Sequence, residues 1–564
     1  MSAAQTASAS DPTLLGDILA NADRGGRLRT LGRQRGEQIV THAELLLRSQ
    51  RVGGALRAEG VAAGDAVAVV LRPTIDAIVG FLGVWMAGGT VLLVPPPGPF
   101  EPLDTWRRDA AALTSRVGAR TLVTDVTRWA LPGLRSLEPT GMAGASVEEP
   151  PTPLPQHQAV ITTTSGTTAR ARLLLRTQGS LHAQLRNNMA TKGGLRPGVD
   201  HRLGWGPLHR RALGGDLLYP LARGVDATLL PQLAFAGRPM RWLEEISRRG
   251  ATFSTAPAFA YRRVARELSM ATRLEGEAAL DLSRWRYAHL AGERVDAEVL
   301  DAFAQAAAPY GFDQRAFCVS YGSREIGNIA GLRSGPGIRV DRVLGSKLAE
   351  GCAAPAPLAT ADEVVRVVSV GEPAPEVELR LVDSDGREVA ERQVGEVVVR
   401  GPAMSSGYLD GDDGDARFRS GWFHTQDLGY RASGELFLVG RRDEVVVLNG
   451  VNVHTGVVEQ QVRDELGADV EGVAVFGVSG DRGDQLVIAV ETVGPAEGLR
   501  ARIATGLTAR GARPPDEVIT LGVGALPRTE EGKIKRAAVA AAYRAGRLPI
   551  AGAPRSSSEP ESGA

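Results

Sequence analysis

The spacing of apolar and polar positions alternates between two patterns in the first part of the chain. Longer segments with helical periodicity predict helices at Ala43–Glu59 and Ile75–Met86. Short, nearly continuous apolar runs predict buried strands at Ala66–Leu71 and Val91–Val94. A helix followed by a strand recurs between Asp104 and Asp125. This alternation is typical of an α/β protein with a mostly parallel sheet.

The pattern changes twice further along the chain. From Glu363 to Pro402, short apolar runs separated by turn residues predict a small β-rich subdomain. Beyond Gly440 the order becomes strand, helix, two strands and helix, which is typical of a compact α+β module. Because the 564 residues exceed the ~250–300 at which a single core stops growing, we expect at least two domains.

Composition excludes several classes of protein. Lysine and arginine (65) balance aspartate and glutamate (65), so bulk charge does not attract the chain to nucleic acid or to an anionic membrane. No apolar run approaches the ~20 residues of a membrane span. Cys318 and Cys352 are too few for a disulfide framework and lack metal-ligand spacing. Residues Met1–Pro12 lack the features of a signal peptide, so we expect a cytoplasmic protein.

A loop rich in glycine, serine and threonine is the most unusual local sequence. A Pro-rich loop, Glu149–Pro155, leads into a predicted strand at Ala159–Thr163, which continues into Thr164-Ser165-Gly166-Thr167-Thr168. A strand that ends in such a loop offers backbone N–H groups and hydroxyls to one anion, as phosphate-binding loops do. A plain surface turn has the same composition, and the loop alone does not decide between the two.

The loop resembles the pyrophosphate loop of the adenylate-forming superfamily, which includes acyl-CoA synthetases, luciferases and peptide-synthetase adenylation domains. Four more segments resemble the later motifs of that superfamily, in the expected order and within about Thr41 to Ala541. They are Tyr321-Gly322-Ser323-Arg324-Glu325, Trp422-Phe423-His424-Thr425-Gln426-Asp427-Leu428-Gly429, Gly440-Arg441-Arg442-Asp443 and Pro527-Arg528-Thr529-Glu530-Glu531-Gly532-Lys533. Each motif alone is weak, but five in order identify the chain as a member of the superfamily.

The resemblance implies a ligase that uses ATP and Mg²⁺ to activate a carboxylic acid. It implies that Tyr321 stacks on adenine, that Asp427 holds the ribose hydroxyls, and that Asp443 lies at a domain hinge. Lys533 and Glu325 would be the catalytic residues, with Glu325 also the metal ligand. The implied ATP- and AMP-binding residues are Thr164, Ser165, Gly166, Thr167, Thr168, Arg172, Ala291, Gly292, Glu293, Tyr321, Gly322, Asp427 and Arg441.

The scarcity of lysine supports the role of Lys533. Only four lysines occur in the chain, and arginine carries the rest of the positive charge. A compact ammonium group can lie between the carboxylate and the α-phosphate, two anions that must approach each other. A solvated surface lysine is the alternative, and the retention of the nearby Lys535 weakens the compositional argument.

One branch of the superfamily, the fatty acyl-AMP ligases, resembles the chain more closely. The segment Pro239–Phe312 resembles that branch, including an aromatic stretch by its acyl tunnel. The resemblance implies an acyl pocket that contains Trp205, His209, Phe259 and Tyr261. Residues 335–362 resemble the insertion that restrains the C-terminal domain in that branch. The acyl acceptor would then be the phosphopantetheine arm of an acyl carrier protein, with CoA as the alternative.

The resemblance also implies a domain organisation. We expect an α/β N-terminal adenylation domain of parallel and mixed sheets over 12–440. Its last part, 363–440, would be the β-rich subdomain. A small, mobile α+β domain would occupy 441–545. We expect the termini, 1–11 and 551–564, to be disordered.

The chain departs from the superfamily on its phosphate side. Where the superfamily reads Gly-x-Pro-Lys-Gly, this chain reads Ala169-Arg170-Ala171-Arg172-Leu173, which keeps a charge at Arg172 but loses both glycines. Trp205–Arg211 lacks a usual aspartate, and Arg324 stands where a small residue is usual. Three hypotheses remain: a working acyl-AMP ligase, an acyl-CoA ligase or half-reaction enzyme that uses a preformed acyl-adenylate, and a catalytically silent scaffold. Retention of Lys533 favours the first.

Overall fold

The computed structural model describes most of the chain between residues 12 and 549. The described ranges are 12–32, 36–98, 101–163, 172–210, 212–270, 280–332, 335, 337–356, 363–409, 417–448, 451–467, 470–480, 483–492, 497–510, 512–528 and 534–549. The termini that the sequence predicts to be disordered lie outside these ranges.

The helices differ widely in length. Within the described ranges they are α1 (Leu14–Ala20), α2 (His42–Ala58), α3 (Ile75–Met86), α4 (Leu103–Ser115), α5 (Gln178–Lys192), α6 (Tyr219–Arg223), α7 (Gln232–Gly237), α8 (Met240–Arg249), α9 (Ala258–Met270), α10 (Ala297–Ala307), α11 (Gly345–Ala349), α12 (Thr455–Leu466), α13 (Leu499–Ala509) and α14 (Arg536–Arg544).

The strands are mostly short. Those of the first half are β1 (Arg27–Gly32), β2 (Gly36–Thr41), β3 (Ala66–Val69), β4 (Thr90–Leu93), β5 (Thr121–Val123), β6 (Arg135–Leu137), β7 (Gln158–Thr163), β8 (Leu173–Thr177), β9 (His201–Gly204), β10 (Asp226–Leu229), β11 (Phe253–Ala256) and β12 (Tyr287–Leu290). Those of the second half are β13 (Phe317–Ser323), β14 (Gly327–Leu332), β15 (Val340–Leu344), β16 (Val364–Val368), β17 (Glu372–Pro373), β18 (Glu378–Val382), β19 (Gly395–Arg400), β20 (Phe418–Arg419), β21 (Trp422–Ala432), β22 (Glu435–Arg441), β23 (Val445–Leu448), β24 (Val451–His454), β25 (Val470–Gly480), β26 (Gly483–Thr492) and β27 (Glu517–Leu521).

A six-stranded sheet contains the first predicted units. Its order is β6-β5-β3-β4-β7-β8, and every pairing is parallel except that of β7 with β8. The predicted helix Ile75–Met86 is found with the same bounds, because Thr74 caps its start by accepting a hydrogen bond from the Ala77 amide at 3.3 Å. The helix ends just before Gly88, whose φ of 83° is readily adopted only by glycine. The predicted α/β architecture is therefore confirmed.

A nine-stranded sheet lies next along the chain, in the order β17-β14-β13-β12-β11-β9-β10-β1-β2. Its central strands are parallel, and antiparallel strands close both edges. One buried cluster contains residues of α2 and α3 together with strand residues of both large sheets, such as Val69 and Leu229. The two sheets thus share a helical layer.

The β-rich subdomain is present as a five-stranded antiparallel sheet. Its order is β18-β19-β21-β20, with β22 paired to β21. The strands β21 and β22 form a hairpin in which Asp427 pairs with Arg441. This register decides the geometry of the site described below.

The last part of the described chain forms its own sheets and cores. It contains the hairpin β23–β24 and the three-stranded sheet β25-β26-β27, with two hydrophobic clusters made only of residues beyond Val446. Arg294 connects this part to the rest by donating to the Gly456 carbonyl at 3.0 Å. Among the described residues, no helix is long and apolar enough to span a bilayer.

Candidate active site

Three of the predicted nucleotide-binding residues meet between two sheets. Tyr321, at the end of β13, is buried, and its hydroxyl donates to Asp427 Oδ2 of β21 at 2.6 Å. Burial and the neighbouring Asp427 carboxylate raise the pKa of Tyr321 well above its usual value, so the phenol stays protonated and remains a donor. The register shifts at Tyr321/Gly322, and a Cβ on Gly322 would lie 2.2 Å from the Gly327 carbonyl oxygen, so only glycine fits there.

The hairpin register adds Arg441 to this group. Its Nη1 lies 3.8 Å from Asp427 Oδ1, and its Nη2 contacts Gln426 Oε1 at 3.5 Å. Gln426 has a φ of 64°, a left-handed conformation that non-glycine residues adopt rarely and mostly at functional sites. The side chains of Asp427 and Arg441 are 21% and 34% exposed, so solvent reaches both. The structure therefore offers an accessible carboxylate beside an aromatic ring and a guanidinium.

Glu325 occupies the turn between β13 and β14 and is nearly buried. The Tyr408 hydroxyl donates to Glu325 Oε1 at 2.5 Å, and Arg417 Nη1 lies 3.7 Å from the same oxygen. Arg417 also donates to the Tyr408 hydroxyl. Sequence reasoning missed Tyr408 and Arg417. The available signals were a Gly-Tyr pair between β19 and β20 and an arginine directly before β20.

The surroundings of Glu325 fit Mg²⁺ that is bound largely through a substrate. Within the described ranges, no group of three or more His, Cys, Asp or Glu residues is arranged to hold a metal. Mg²⁺ prefers oxygen ligands and is commonly held by one or two carboxylates together with substrate phosphates. A single carboxylate with one oxygen fixed by a hydroxyl matches that mode of binding.

Two further arginines tie Glu325 to the strands that flank the Gly/Ser/Thr loop. Arg176 of β8 is buried and donates to the Arg324 carbonyl at 2.9 Å. Burial lowers the pKa of Arg176 to about 10, an effect that the Glu325 carboxylate opposes, so the guanidinium stays charged at neutral pH. Arg324 itself donates to the carbonyl of Thr163, the last described residue before the loop. Two arginines thus link the turn at Glu325 to β7 and β8.

Several predicted residues of the phosphate side lie outside the described ranges. These are Thr164, Ser165, Gly166, Thr167, Thr168 and Lys533. Arg172 is described; it is exposed, and its Cζ lies 5.0 Å from the centroid of the Tyr408 ring. The contact of the loop with phosphate and the catalytic role of Lys533 stay predictions.

The predicted adenine loop adjoins the predicted acyl segment. Ala291, Gly292 and Glu293 follow β12, and Gly292 has a φ of 94°, in the left-handed region. Glu293 Oε1 accepts the Phe259 amide at 2.7 Å, and burial raises the pKa of this carboxyl. The aromatic segment at the start of α9 is thereby fixed directly to the loop.

Three of the predicted acyl-pocket residues, Trp205, Phe259 and Tyr261, belong to one aromatic cluster, in which Trp242 contacts both Trp205 and Tyr261. Trp205 stacks on Phe235 with ring centroids 4.2 Å apart, and Phe259 contacts the same ring at 6.2 Å. His209 is nearly buried, and its Nε2 accepts from Arg210 at 3.3 Å. Tyr261 has no exposed surface and packs in an aromatic core with Trp242 and Phe303. Sequence reasoning missed Phe235, which joins Trp205 to Phe259.

The predicted hinge residue Asp443 lies in the short 3-10 helix Arg442–Glu444 that follows β22. Arg442 pairs with Glu396 of β19 at 3.0 Å on the N-terminal side of this point. On the other side, α12 begins after the β23–β24 hairpin. The short connection is suited to a change of direction, and its role as a hinge stays a prediction.

Comparison with known proteins is consistent with this geometry. Residues 20–409 match the family of AMP-binding enzymes. A putative acyl-CoA synthetase of Caulobacter vibrioides is 30% identical over 557 residues, which cover 94% of this chain and 94% of that protein. A medium-chain fatty acid–acyl-carrier-protein ligase of Moorena producens is 28% identical over 368 residues, 61% of this chain and 61% of that protein.

A solved structure from a study of fatty acyl-adenylate ligases of E. coli and L. pneumophila resembles the whole fold. It superposes with a TM-score of 0.81 at 25% sequence identity and covers 95% of this chain and 99% of that one. The family match extends over more than half of the chain, and one relative reaches 30% identity along nearly its whole length. These matches show that the chain belongs to the AMP-binding enzymes and is an adenylate-forming ligase.

Proposed function

We propose that this ligase activates a fatty or other hydrophobic carboxylic acid with ATP and transfers it to the thiol of a carrier protein. In the first step a carboxylate oxygen of the acid attacks the α-phosphorus of ATP, and the bond to pyrophosphate breaks. In the second step the phosphopantetheine thiol loses its proton and attacks the acyl carbonyl carbon, and AMP leaves. Because ATP is the co-substrate, we expect the enzyme to work in the cytoplasm.

The joint arrangement of Tyr321, Asp427 and Arg441 is the observation that carries the proposal. A carboxylate accepts hydrogen bonds well from a vicinal diol, and the two hydroxyls of ribose are such a diol. The aromatic ring next to it can stack on adenine. A nucleotide held at both its base and its sugar has its α-phosphate in a defined position, which is what in-line attack by a carboxylate needs.

The phosphate side of the site would neutralise charge during the first step. Mg²⁺, when bound, supplies positive charge to the phosphate oxygens, and Glu325 is the residue that would hold it. Lys533 would lie between carboxylate and α-phosphate, and residues Thr164–Thr168 with Arg172 would bind the leaving pyrophosphate. The half-reaction and scaffold hypotheses predict that the phosphate-side residues can be substituted without loss of function. Substitutions at these residues therefore distinguish those hypotheses from the proposed function.

Contacts of the insertion support a carrier protein as acceptor. From α11, Leu348 packs in one buried cluster with Val439 of β22 and Val457 of α12. A Cβ on Gly345 would lie 3.1 Å from the Arg510 carbonyl oxygen and 3.2 Å from Gln461 Nε2. The segment that resembles the restraining insertion therefore touches both sides of the proposed boundary between 12–440 and 441–545. Such a contact would oppose the domain rotation that a CoA-using enzyme needs.

Pyrophosphate exchange with a panel of carboxylic acids tests the first step. We expect exchange with fatty acids, its loss in Lys533→Ala, and no change in Lys535→Ala, since Lys535 is exposed and only two residues away. Absence of exchange with every acid in the wild-type enzyme would contradict the proposal. Exchange at the wild-type rate in Lys533→Ala would contradict the assigned role of this lysine.

The choice of acceptor needs a second measurement. We expect acyl transfer to a phosphopantetheinylated carrier protein to be much faster than transfer to CoA. Leu348→Ala removes packing between the insertion and α12, so we expect it to raise the CoA-dependent rate while pyrophosphate exchange stays constant. An unchanged ratio of the two acceptors in this variant would contradict the restraining role of the insertion.

A further inference from the structure

The Tyr408 hydroxyl contacts both Glu325 and Arg417 at hydrogen-bonding distance. It donates to Glu325 Oε1 at 2.5 Å and accepts a hydrogen bond from Arg417. The guanidinium of Arg417 is also near the carboxylate itself, with Nη1 3.7 Å from Oε1. The tyrosine hydroxyl therefore bridges a guanidinium and a carboxylate that already form a long ion pair.

The backbone around Tyr408 fixes this hydroxyl firmly. Tyr408 forms a β-bridge with Leu174 of β8, and the next amide, that of Leu409, donates to the Leu173 carbonyl at 2.9 Å. Three residues before Tyr408, the Ser405 amide donates to the backbone carbonyl of Glu325 at 2.6 Å. The segment is thus anchored both to the strand that follows the Gly/Ser/Thr loop and to the turn that holds Glu325.

The ring of the same tyrosine contacts a second cation. The Cζ atoms of Arg172 and Arg417 each lie 5.0 Å from the centroid of the Tyr408 ring, within the range of cation–π attraction. Phe418 contacts the ring edge-on at 5.6 Å. The aromatic face of Tyr408 therefore touches Arg172, while its hydroxyl touches Glu325.

We propose that Tyr408 and Arg417 are positioning residues for the phosphate side of the adenylation site. The Tyr408 hydroxyl, oriented by Arg417, holds one oxygen of Glu325 and leaves the other for a divalent cation on ATP. The Tyr408 ring holds Arg172 toward the pyrophosphate. The inference rests on the proposed function and assigns roles to two residues that the five motifs do not include.

Competition between cations explains why a tyrosine is needed here. A carboxylate that is paired directly with a guanidinium is a poor ligand for a metal, because the charge that attracts the metal is already neutralised. A phenol hydroxyl satisfies one oxygen without adding charge. Removal of the hydroxyl would let Arg417 approach Glu325 from 3.7 Å to direct hydrogen-bonding distance and neutralise the carboxylate more fully.

The test compares nucleotide binding with and without metal in Tyr408→Phe. Calorimetry gives the Kd of ATP in excess Mg²⁺ and in EDTA, and the ratio is the gain in affinity that the metal provides. We expect the gain to fall about tenfold in Tyr408→Phe, the value of one hydrogen bond to a charged group. The Kd of AMP should stay within about twofold of wild type, because AMP lacks the β- and γ-phosphates.

Two outcomes would overturn the inference. An unchanged metal-dependent gain in Tyr408→Phe would show that the hydroxyl does not prepare Glu325. A parallel loss of affinity for AMP would show that the variant perturbs the fold of the whole site. If no acid supports pyrophosphate exchange, the proposed function is contradicted instead. The ratio of the ATP Kd values with and without Mg²⁺ can still be measured in that case.

Further variants separate the hydroxyl from the ring and test the link to Arg417. Tyr408→Leu should also weaken pyrophosphate binding about threefold, whereas Tyr408→Phe should not, because only the leucine removes the contact with Arg172. Arg417→Gln should lower the gain in ATP affinity that Mg²⁺ provides. The double variant Arg417→Gln/Tyr408→Phe should lose no more of this gain than Tyr408→Phe alone. Additive losses would contradict the proposal that Arg417 acts through Tyr408.

Discussion

The proposed ribose side and the proposed phosphate side of this site are built in different ways. On the ribose side, Asp427 and Arg441 face each other across one hairpin, and Tyr321 reaches them from the neighbouring sheet. On the phosphate side, Glu325, Arg176 and Tyr408 come from three separate segments: Tyr408 donates to the Glu325 carboxylate, and Arg176 donates to the backbone carbonyl of Arg324. A hairpin register sets the pairing on the ribose side, whereas the phosphate side depends on contacts between separate segments.

The two sides also differ in how closely their sequences resemble the motifs of the superfamily. The ribose-side motifs are intact, and the phosphate-side loop has lost two glycines and gained arginines. Arg176 and Arg324 fix the turn at Glu325 to the strands on either side of the altered loop, so they supply rigidity next to it. Three predictions test this contrast, and a fourth tests the stability of the contact between α10 and α12.

The largest effect is expected at Lys533 on the phosphate side. Lys533→Ala should lower the rate of acyl-adenylate formation by about 10²–10³-fold, because in the proposed mechanism this lysine is the cation that faces the developing charge. Transfer from a preformed acyl-adenylate to the acceptor should change little. Single-turnover assays of the two half-reactions measure both rates, and equal losses in both would contradict the assignment.

The next effect is expected at Asp427 on the ribose side. Asp427→Ala should raise the KM for ATP and the Kd of AMP by the same factor, about 10–100-fold, the value of charge-assisted hydrogen bonds. Asp385→Ala is a matched control, since this aspartate lies in an exposed turn of the same sheet. Equal effects of the two substitutions would show that Asp427 has no special role.

A smaller effect is expected at Arg172. Arg172→Ala should raise the KM for pyrophosphate in the reverse reaction about tenfold and leave the Kd of AMP unchanged. Arg172→Lys keeps the charge but loses the planar guanidinium, so it should recover part of the loss. If AMP binding weakened as much as pyrophosphate binding, the division of the site into two sides would fail.

The smallest effect concerns the contact between α10 and α12. Gln460 bridges Glu298 and Asp464, donating to each at 2.7 Å. Burial and the neighbouring Glu298 raise the pKa of Asp464 from 3.8 to about 7. The native state therefore binds this proton more tightly than the unfolded state, and the stabilisation is lost as pH rises from about 4 to about 7.

Asp464→Asn removes this titrating carboxyl group and therefore its pH-dependent contribution to stability. Relative to the variant, the free energy of unfolding of the wild-type protein should decrease between pH 4 and pH 7 and then stay level, as followed by urea denaturation at several pH values. The nearby Asp296 and Arg510 remain in both proteins, so the difference reports on Asp464. A difference that does not vary with pH would contradict the shifted pKa.

Several elements and motifs were predictable because their signals are local. The helix Ile75–Met86 and the strand Gly395–Arg400 have the predicted bounds, since periodicity and end signals within a few residues specify them. The Tyr321, Asp427 and Arg441 motifs were recognisable for a similar reason. Their meeting follows from the bulge at Gly322 and the β21–β22 register, which the motifs themselves do not encode.

By itself the sequence determined the α/β class, the family and the residues of the five motifs. Only the tertiary structure decided that Tyr408 and Arg417 belong to the site, because they are far from Glu325 in sequence and no periodicity or motif relates them to it. The contacts arise where the Ser405–Leu409 segment runs beside β8. Side-chain neighbours of this kind are set by how sheets and loops pack, and that packing is a property of the whole chain.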